Sequence, residues 1–264
     1  MDFKLRNKTA LVTGSTAGTG FAIAKMLAEE GATVAINGRT TKRVMEAIEQ
    51  IKSFFPSAKL IAAPADLSVP QDSSKLINNI PSVDILVNNF GIYEVKQFND
   101  ISDDDWLRLF NSNVMSGIRL SRHYLPSMLK NDWGRIVFIS SESGVQIPTE
   151  MIHYGVTKTA QVALARGIAE TTAGTNITVN CVLPGPTKTE GVITFIENLA
   201  KEQNKTAKQV EQEIFTSVRP TSLLKRFAAP EEIAALVTYL CSPLSSATNG
   251  AALRADGGIV RAIL

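Results

Sequence analysis

The stretch that most constrains this chain is its beginning. An apolar run at 8–13 (Lys-Thr-Ala-Leu-Val-Thr) leads into Gly14-Ser15-Thr16-Ala17-Gly18-Thr19-Gly20, and a helical run follows at 21–30. A short buried strand feeding a glycine turn and then a helix leaves unpaired backbone N–H groups at the helix start, where they attract an anion. Glycines let that backbone approach a phosphate closely. The spacing Gly-x-x-x-Gly-x-Gly differs from the Gly-x-Gly-x-x-Gly of the general dinucleotide fingerprint, and no Lys-Ser/Thr follows as in a P-loop. Such glycines can also serve tight turns and helix packing; the strand before them and the helix after favour a nucleotide pyrophosphate.

The rest of the chain continues the alternation. Strand-like runs fall at 10–13, 33–37, 59–63, 85–88, 135–140, 177–183 and 251–255, and helical runs at 41–54, 71–79, 104–130 with a break near Gly117, 152–172 and 231–241. This is the pattern of an α/β fold: a Rossmann-like, doubly wound parallel sheet of about seven strands with helices on both faces. With 264 residues, 44% of them hydrophobic, the chain can bury one core, so 1–264 reads as a single domain. Ser68-Val-Pro-Gln71 fits a capping box, and Pro230 before Glu231 and Glu232 fits a helix start. Residues 188–227 interrupt the alternation with a charged helix-like stretch at 197–214, which reads as a lid over substrate or, alternatively, as a surface insertion.

Tyr154 and Lys158 lie four apart in the run at 152–172, hence on one helix face and within reach of one pocket. A neighbouring cation favours phenolate and lowers a tyrosine pKa from its reference of about 10. Ser141 ends the run at 135–140, and strand ends are where α/β folds place ligands. The three groups together suit exchange of a proton with a carbonyl or alcohol oxygen. Other designs lack their residues: His123 and His153 are the only histidines, with no His-Glu-x-x-His, so no metal site is expected, and Gly-x-Ser-x-Gly is absent. His153 points about 100° away from Tyr154 round the helix and reads as core or interface.

These pieces resemble the short-chain dehydrogenase/reductase family in its branch of roughly 250 residues. The matching segments are Thr13 to Gly20, Asp66-Leu67, Asn88-Asn89-Phe90-Gly91, Asn113, Ser141, Tyr154-Gly-Val-Thr-Lys158, Pro184-Gly185 and Asp256-Gly257-Gly258. The resemblance implies a tetrad of Asn113, Ser141, Tyr154 and Lys158, with Asn113 holding a relay water and Lys158 also holding the nicotinamide ribose. It implies that Gly14, Ser15, Thr16, Gly18, Thr19 and Gly20 cradle the dinucleotide and that Asp66, beside Leu67, binds the adenine amino group. Asn88, Asn89 and Gly91 would line the adenosine ribose, and Pro184, Gly185, Thr187 and Thr189 would position the carboxamide. Phe90 departs from the usual alanine. The expected activity is hydride transfer between nicotinamide and a small-molecule carbonyl or alcohol. A nucleotide-sensing protein with little turnover, or imine, enoyl or quinone reduction on the same fold, are the other readings. Family members assemble as homotetramers or homodimers through helices near 116–130 and 152–172.

Cofactor choice turns on the end of the second strand, Asn37-Gly38-Arg39-Thr40. NAD sites place an acid there for the ribose hydroxyls, and NADP sites need a cation for the 2′-phosphate. No acid is present, and Arg39 can pair with phosphate, so NADP(H) is preferred while NAD(H) stays possible. Net charge is only +2 without a basic run, which gives no argument for nucleic acid or an anionic membrane. Cys181 and Cys241 form no Cys-x-x-Cys, and no signal peptide or spanning apolar run is seen, so a reducing cytoplasm is expected. The substrate wall is expected from Phe90, Ile92, Tyr93, Glu142, Gln146 and Ile147 together with the lid.

Overall fold

The computed structural model describes residues 2–263. Seven parallel strands, β1 (Thr9–Val12), β2 (Thr33–Gly38), β3 (Leu60–Pro64), β4 (Ile85–Asn88), β5 (Gly134–Ile139), β6 (Ile177–Pro184) and β7 (Ala252–Ala255), form one sheet in the order β3-β2-β1-β4-β5-β6-β7. The order reverses direction between β1 and β4, and in such sheets the crevice at the carboxyl ends of those strands receives the ligand. Successive side chains on each strand point to opposite faces, which divides the core in two. Ala10, Val12, Val34, Ile36, Ile85, Val87 and Val137 pack on one side against α1 (Gly18–Glu29), α2 (Thr41–Phe54) and α9 (Pro230–Cys241). Leu11, Ala35, Leu86, Ile136 and Phe138 face the other side, under α3 (Pro70–Asn79), α5 (Ser116–Lys130) and α6 (Ile152–Thr171). A strand covered on both faces is apolar along most of its length, as β1, β4 and β5 are apart from Thr9, Asn88 and Arg135, the last of which is buried and bonded to backbone carbonyls.

Three local expectations are corrected. The break in the helical run at 104–130 is not at Gly117: α4 (Asp103–Phe110) passes through a π-helical turn, Asn111–Met115, into α5. A π-turn inserts one residue into the helix and turns side chains out of register, and Asn113 sits within it. The capping box at Ser68 does not form, because Asp66 Oδ1 accepts both the Ser68 N–H (3.0 Å) and its hydroxyl (2.6 Å), leaving Val69 as an uncapped N-cap before Pro70. The stretch at 197–214 is two helices, α7 (Glu190–Glu202) and α8 (Ala207–Glu213). Asn204 takes the left-handed region (φ 53°) to end the first, and Thr206 with Gln209 caps the second. At the expected start of α9, Glu232 reaches back to accept the Ala229 N–H at 2.7 Å.

Residues 188–227 have a small apolar cluster of their own, Ile196, Ala200, Val210, Phe215 and Phe227, separate from the two that sandwich the sheet. Among the described residues no helix is long and apolar enough to cross a membrane, and no group of three or more side chains has metal-ligating potential.

Candidate active site

The glycine turn is held by side chains from the neighbouring strand ends. Ser15 is fully buried; its hydroxyl donates to Val12 O (2.7 Å) and accepts the Asn37 N–H (2.9 Å). Asn37, which ends β2 where an acid would otherwise stand, accepts the Gly14 N–H (3.0 Å) and donates to Ala63 O and Ala65 O. Its side chain is therefore occupied inside the protein and faces no ligand. Asn89 closes the other flank, donating to Thr13 O (2.9 Å) and Gly14 O (3.1 Å). Thr13 Oγ1 accepts the N–H groups of Asn89 and Phe90, both at 2.9 Å. Gly18 adopts φ +56°, and a Cβ on Gly20 would stand 2.3 Å from Gly14 O, so the turn admits no side chain at either position. Thr16 packs its methyl against Gly38, and Thr19 lines the cavity described below.

Of the other residues expected around a dinucleotide, Arg39 is exposed, and among the described residues it makes no ion pair or hydrogen bond with its side chain. Leu67 is buried, and Asp66 is half-buried with one oxygen turned to Ser68. Asn88 is buried and donates to Ser121 Oγ (3.2 Å). Gly91 faces Asn113 and Lys158, since a Cβ there would lie 3.2 Å from Asn113 Oδ1 and 3.5 Å from Lys158 Nζ. Beyond β6, Gly185 touches the Asp256 backbone, Thr187 Oγ1 donates to Gly185 O (2.9 Å), and Thr189 is the N-cap of α7. A glycine cradle at a helix start fits the pyrophosphate of a dinucleotide. Sequence reasoning missed Glu190: its carboxylate accepts the Gly18 N–H at 3.0 Å, the group at the helix start that an anion would take.

Ser141, Tyr154 and Lys158 line one cavity of about 540 Å³ between the sheet and α7, together with Thr19, Gly91, Pro184, Gly185, Thr187 and Thr189. Lys158 is buried, and desolvation pushes its pKa down to about 8; its ammonium donates to Ile139 O (2.9 Å) and to Gln161 Oε1 (3.0 Å). Gln161 then donates to the Asn113 carbonyl at 2.7 Å. One buried amide thus joins Lys158 to Asn113, the stretch where the family resemblance implied a water. The Asn113 side chain bridges two walls: Oδ1 accepts the Ile92 N–H (2.7 Å), and Nδ2 donates to Ile92 O and Thr157 Oγ1, both at 2.9 Å. Gln161 could have been read from the sequence as a polar residue one turn after Lys158 on the same face.

Tyr154 departs from its expected electrostatics. Burial raises its pKa first, the negative charge of Glu142 raises it further, and only Ser141 lowers it. Lys158 Nζ lies 5.5 Å from the phenol ring centroid. Burial and the Glu142 charge both favour the protonated phenol. Ser141 Oγ donates to Glu142 Oε2 at 2.5 Å and accepts the Ser143 N–H at 3.1 Å. Glu142 is buried and meets Arg219 of the segment above (Oε1 to Nε, 3.4 Å), whose Nη1 is 3.5 Å from Glu150.

The expected wall is partly corrected. Ile92, Tyr93 and Glu142 line the cavity; Phe90, Gln146 and Ile147 do not. Phe90 is half-buried against the core, where its ring adds more to packing than to the wall, and Ile147 packs over Gly155. His153 is fully buried beside the Trp106 ring. Burial pushes both thiols, Cys181 and Cys241, up to about 12, so neither is a nucleophile.

The sequence model described as short chain dehydrogenase matches residues 8–211. An oxidoreductase of Bacillus subtilis, YvaG, is 50% identical over 263 residues, covering all of both chains. The 3-oxoacyl-[acyl-carrier-protein] reductase FabG of Aquifex aeolicus is 33% identical, covering 98% of this chain and all of its own. The crystal structure of L-sorbose reductase from Gluconobacter frateurii, complexed with NADPH and L-sorbose, superposes with a TM-score of 0.94 at 30% identity over all of both chains. The chain belongs to the short-chain dehydrogenase/reductase family of NAD(P)-dependent oxidoreductases.

Proposed function

We propose that this protein is an NADP(H)-preferring reductase of a small carbonyl compound, with Tyr154 as proton donor, Ser141 and Lys158 beside it and Asn113 as its support. The observation that carries the reading is the single cavity holding Ser141, Tyr154 and Lys158 next to the glycine turn. The nicotinamide supplies the hydride when bound. Everything else is orientation and electrostatics from the chain's own side chains. Tyr154 gives its proton to the carbonyl oxygen, and its raised pKa suits reduction, since alcohol oxidation would begin from the disfavoured phenolate. Ser141 orients that oxygen with its hydroxyl. Lys158 would hold a ribose hydroxyl of the bound cofactor, and its charge stabilises the phenolate left after proton transfer.

Gln161 spans the stretch between Lys158 and Asn113 where a relay water was expected. Its two hydrogen bonds fix the Lys158 ammonium to the π-turn carbonyl of Asn113. An amide hands on no proton readily, so Gln161 is a positioning residue. Arg39, unpaired at the end of β2, supports selection of the 2′-phosphate. Residues 188–227 act as a lid over the cavity, with Val192, Phe195 and Val218 forming its apolar underside. The L-sorbose reductase likeness favours a neutral carbonyl compound of sugar size as a starting substrate. The test is NADPH consumption with a panel of ketones, with Tyr154→Phe alongside the native enzyme. Turnover should fall by roughly 10²–10⁴-fold in the variant while NADPH binding is kept. Near-native turnover of Tyr154→Phe would remove it as the proton donor, and tight NADPH binding without turnover of any carbonyl would favour a nucleotide sensor.

A further inference from the structure

The cavity contains a buried carboxylate for which the catalytic residues have no use. Glu142 is 5% exposed and lines the cavity next to Ser141. A carboxylate offers about four acceptor positions. Ser141 Oγ fills one on Oε2, and Arg219 Nε at 3.4 Å fills one on Oε1. Burying a charge with open acceptor positions is costly unless a donor meets it. Catalysis also needs the proton that Ser141 gives to Glu142, because a serine that orients a carbonyl oxygen must donate to it.

We propose that Glu142 is a specificity-determining residue that accepts a hydrogen bond from a substrate hydroxyl next to the carbonyl, so that the preferred substrates are neutral α-hydroxy ketones. The inference rests on the reductase reading above and deepens it. The substrate hydroxyl replaces Ser141 as donor to Oε2, and Ser141 turns its proton to the carbonyl oxygen. A carbonyl with a hydroxyl on the next carbon suits a donor and an acceptor on adjacent residues, Ser141 and Glu142, whose side chains already touch. Charge excludes the main alternative. An oxo acid would set its carboxylate against the Glu142 Oε2 that Ser141 now touches, where like charges repel, while the cavity's four charged side chains, Glu142, Glu150, Lys158 and Arg219, balance as a whole. The apolar remainder, with Ile92, Val95, Phe195 and Leu199, accepts the carbon chain.

The experiment compares kcat/KM with NADPH for 1-hydroxybutan-2-one, butan-2-one and 2-oxobutanoate, in the native enzyme and in Glu142→Gln and Glu142→Leu. Ratios between substrates on one preparation do not depend on the folded fraction, so a poorly folding variant still reports. The native enzyme should prefer the hydroxy ketone over butan-2-one by roughly 10–100-fold, as a hydrogen bond to a charged group allows. 2-Oxobutanoate should be last. In Glu142→Leu the hydroxyl preference should fall to about unity, and in Glu142→Gln it should shrink while the oxo acid gains on butan-2-one. Equal use of the two ketones by the native enzyme, preference for the oxo acid, or ratios unmoved in both variants would overturn the assignment and leave the reductase reading intact. NADPH binding with no turnover of any of the three would overturn both.

Discussion

The glycine turn and the segment over the cavity hold their positions by different means. Around the turn, Thr13, Ser15, Asn37 and Asn89 make short hydrogen bonds to backbone groups, three of the four are at most 1% exposed, and every partner lies at a strand end. The segment at 188–227 has its own five-residue apolar cluster and meets the body through backbone bonds from Leu223 and Leu224 to Gly257 O and through side-chain links such as Arg226 to Glu232, Glu190 to Gly18, and Arg219 to Glu142 and Glu150. Buried backbone-directed bonds have no competing water, whereas a half-exposed ion pair such as Arg226 to Glu232 contributes about 0–1 kcal/mol. The nucleotide end is thus tied by bonds that water does not reach, and the segment above the cavity in part by bonds that it does.

The largest effect that would sharpen this contrast is at Arg39, which the nucleotide end does not pair. Arg39→Asp removes a charge-assisted bond to the 2′-phosphate and adds repulsion, while NADH lacks that group. The ratio of kcat/KM for NADPH over NADH should fall by roughly 10–100-fold. Steady-state kinetics with both cofactors decide it. An equal loss with both, or a native enzyme that already prefers NADH, would make Arg39 a solvated surface residue.

How much could be read beforehand follows the same division. The sheet was legible because strands buried on both faces are written as largely apolar runs, and Tyr154, Lys158 and the glycines carry spacings that local geometry interprets directly. The π-turn at Asn111–Met115 was not, since nothing in Asn-Ser-Asn-Val-Met breaks helical propensity and the extra residue is accommodated by tertiary bonds from Asn113. The capping box failed because Asp66, two residues away, captured Ser68. The direction of the Tyr154 shift was missed for a related reason: helix spacing gives the distance to Lys158, but burial and the charge of Glu142 depend on the whole fold.

A middle-sized effect is expected at Gln161, with a sign that a merely structural role would not produce. The amide oxygen stabilises the charged form of Lys158. Gln161→Leu removes that acceptor and should lower the lysine pKa below about 8; Gln161→Glu adds a negative charge and should raise it. Activity that needs the ammonium is lost as pH rises through this pKa, so the alkaline limb of kcat/KM should move to lower pH in the first variant and to higher pH in the second. The leucine variant should also lose about ten-fold in kcat. Limbs that stay together in all three proteins would assign Gln161 to packing alone.

The smallest effect tests the link between the two regions. Glu190 of α7 takes the Gly18 N–H, so a pyrophosphate entering the turn must displace a carboxylate and its charge. An exposed anion at a helix start is worth about 0.3–1 kcal/mol at low ionic strength. Glu190→Gln should therefore tighten NADPH binding by roughly two- to five-fold in low salt, and the gain should shrink as salt screens the pair. Calorimetric titration at two ionic strengths measures both. Weaker binding in the variant would mean that Glu190 supports the closed position of α7 over the nucleotide instead of competing with it, and the weak contacts of the substrate end would then belong to the bound state.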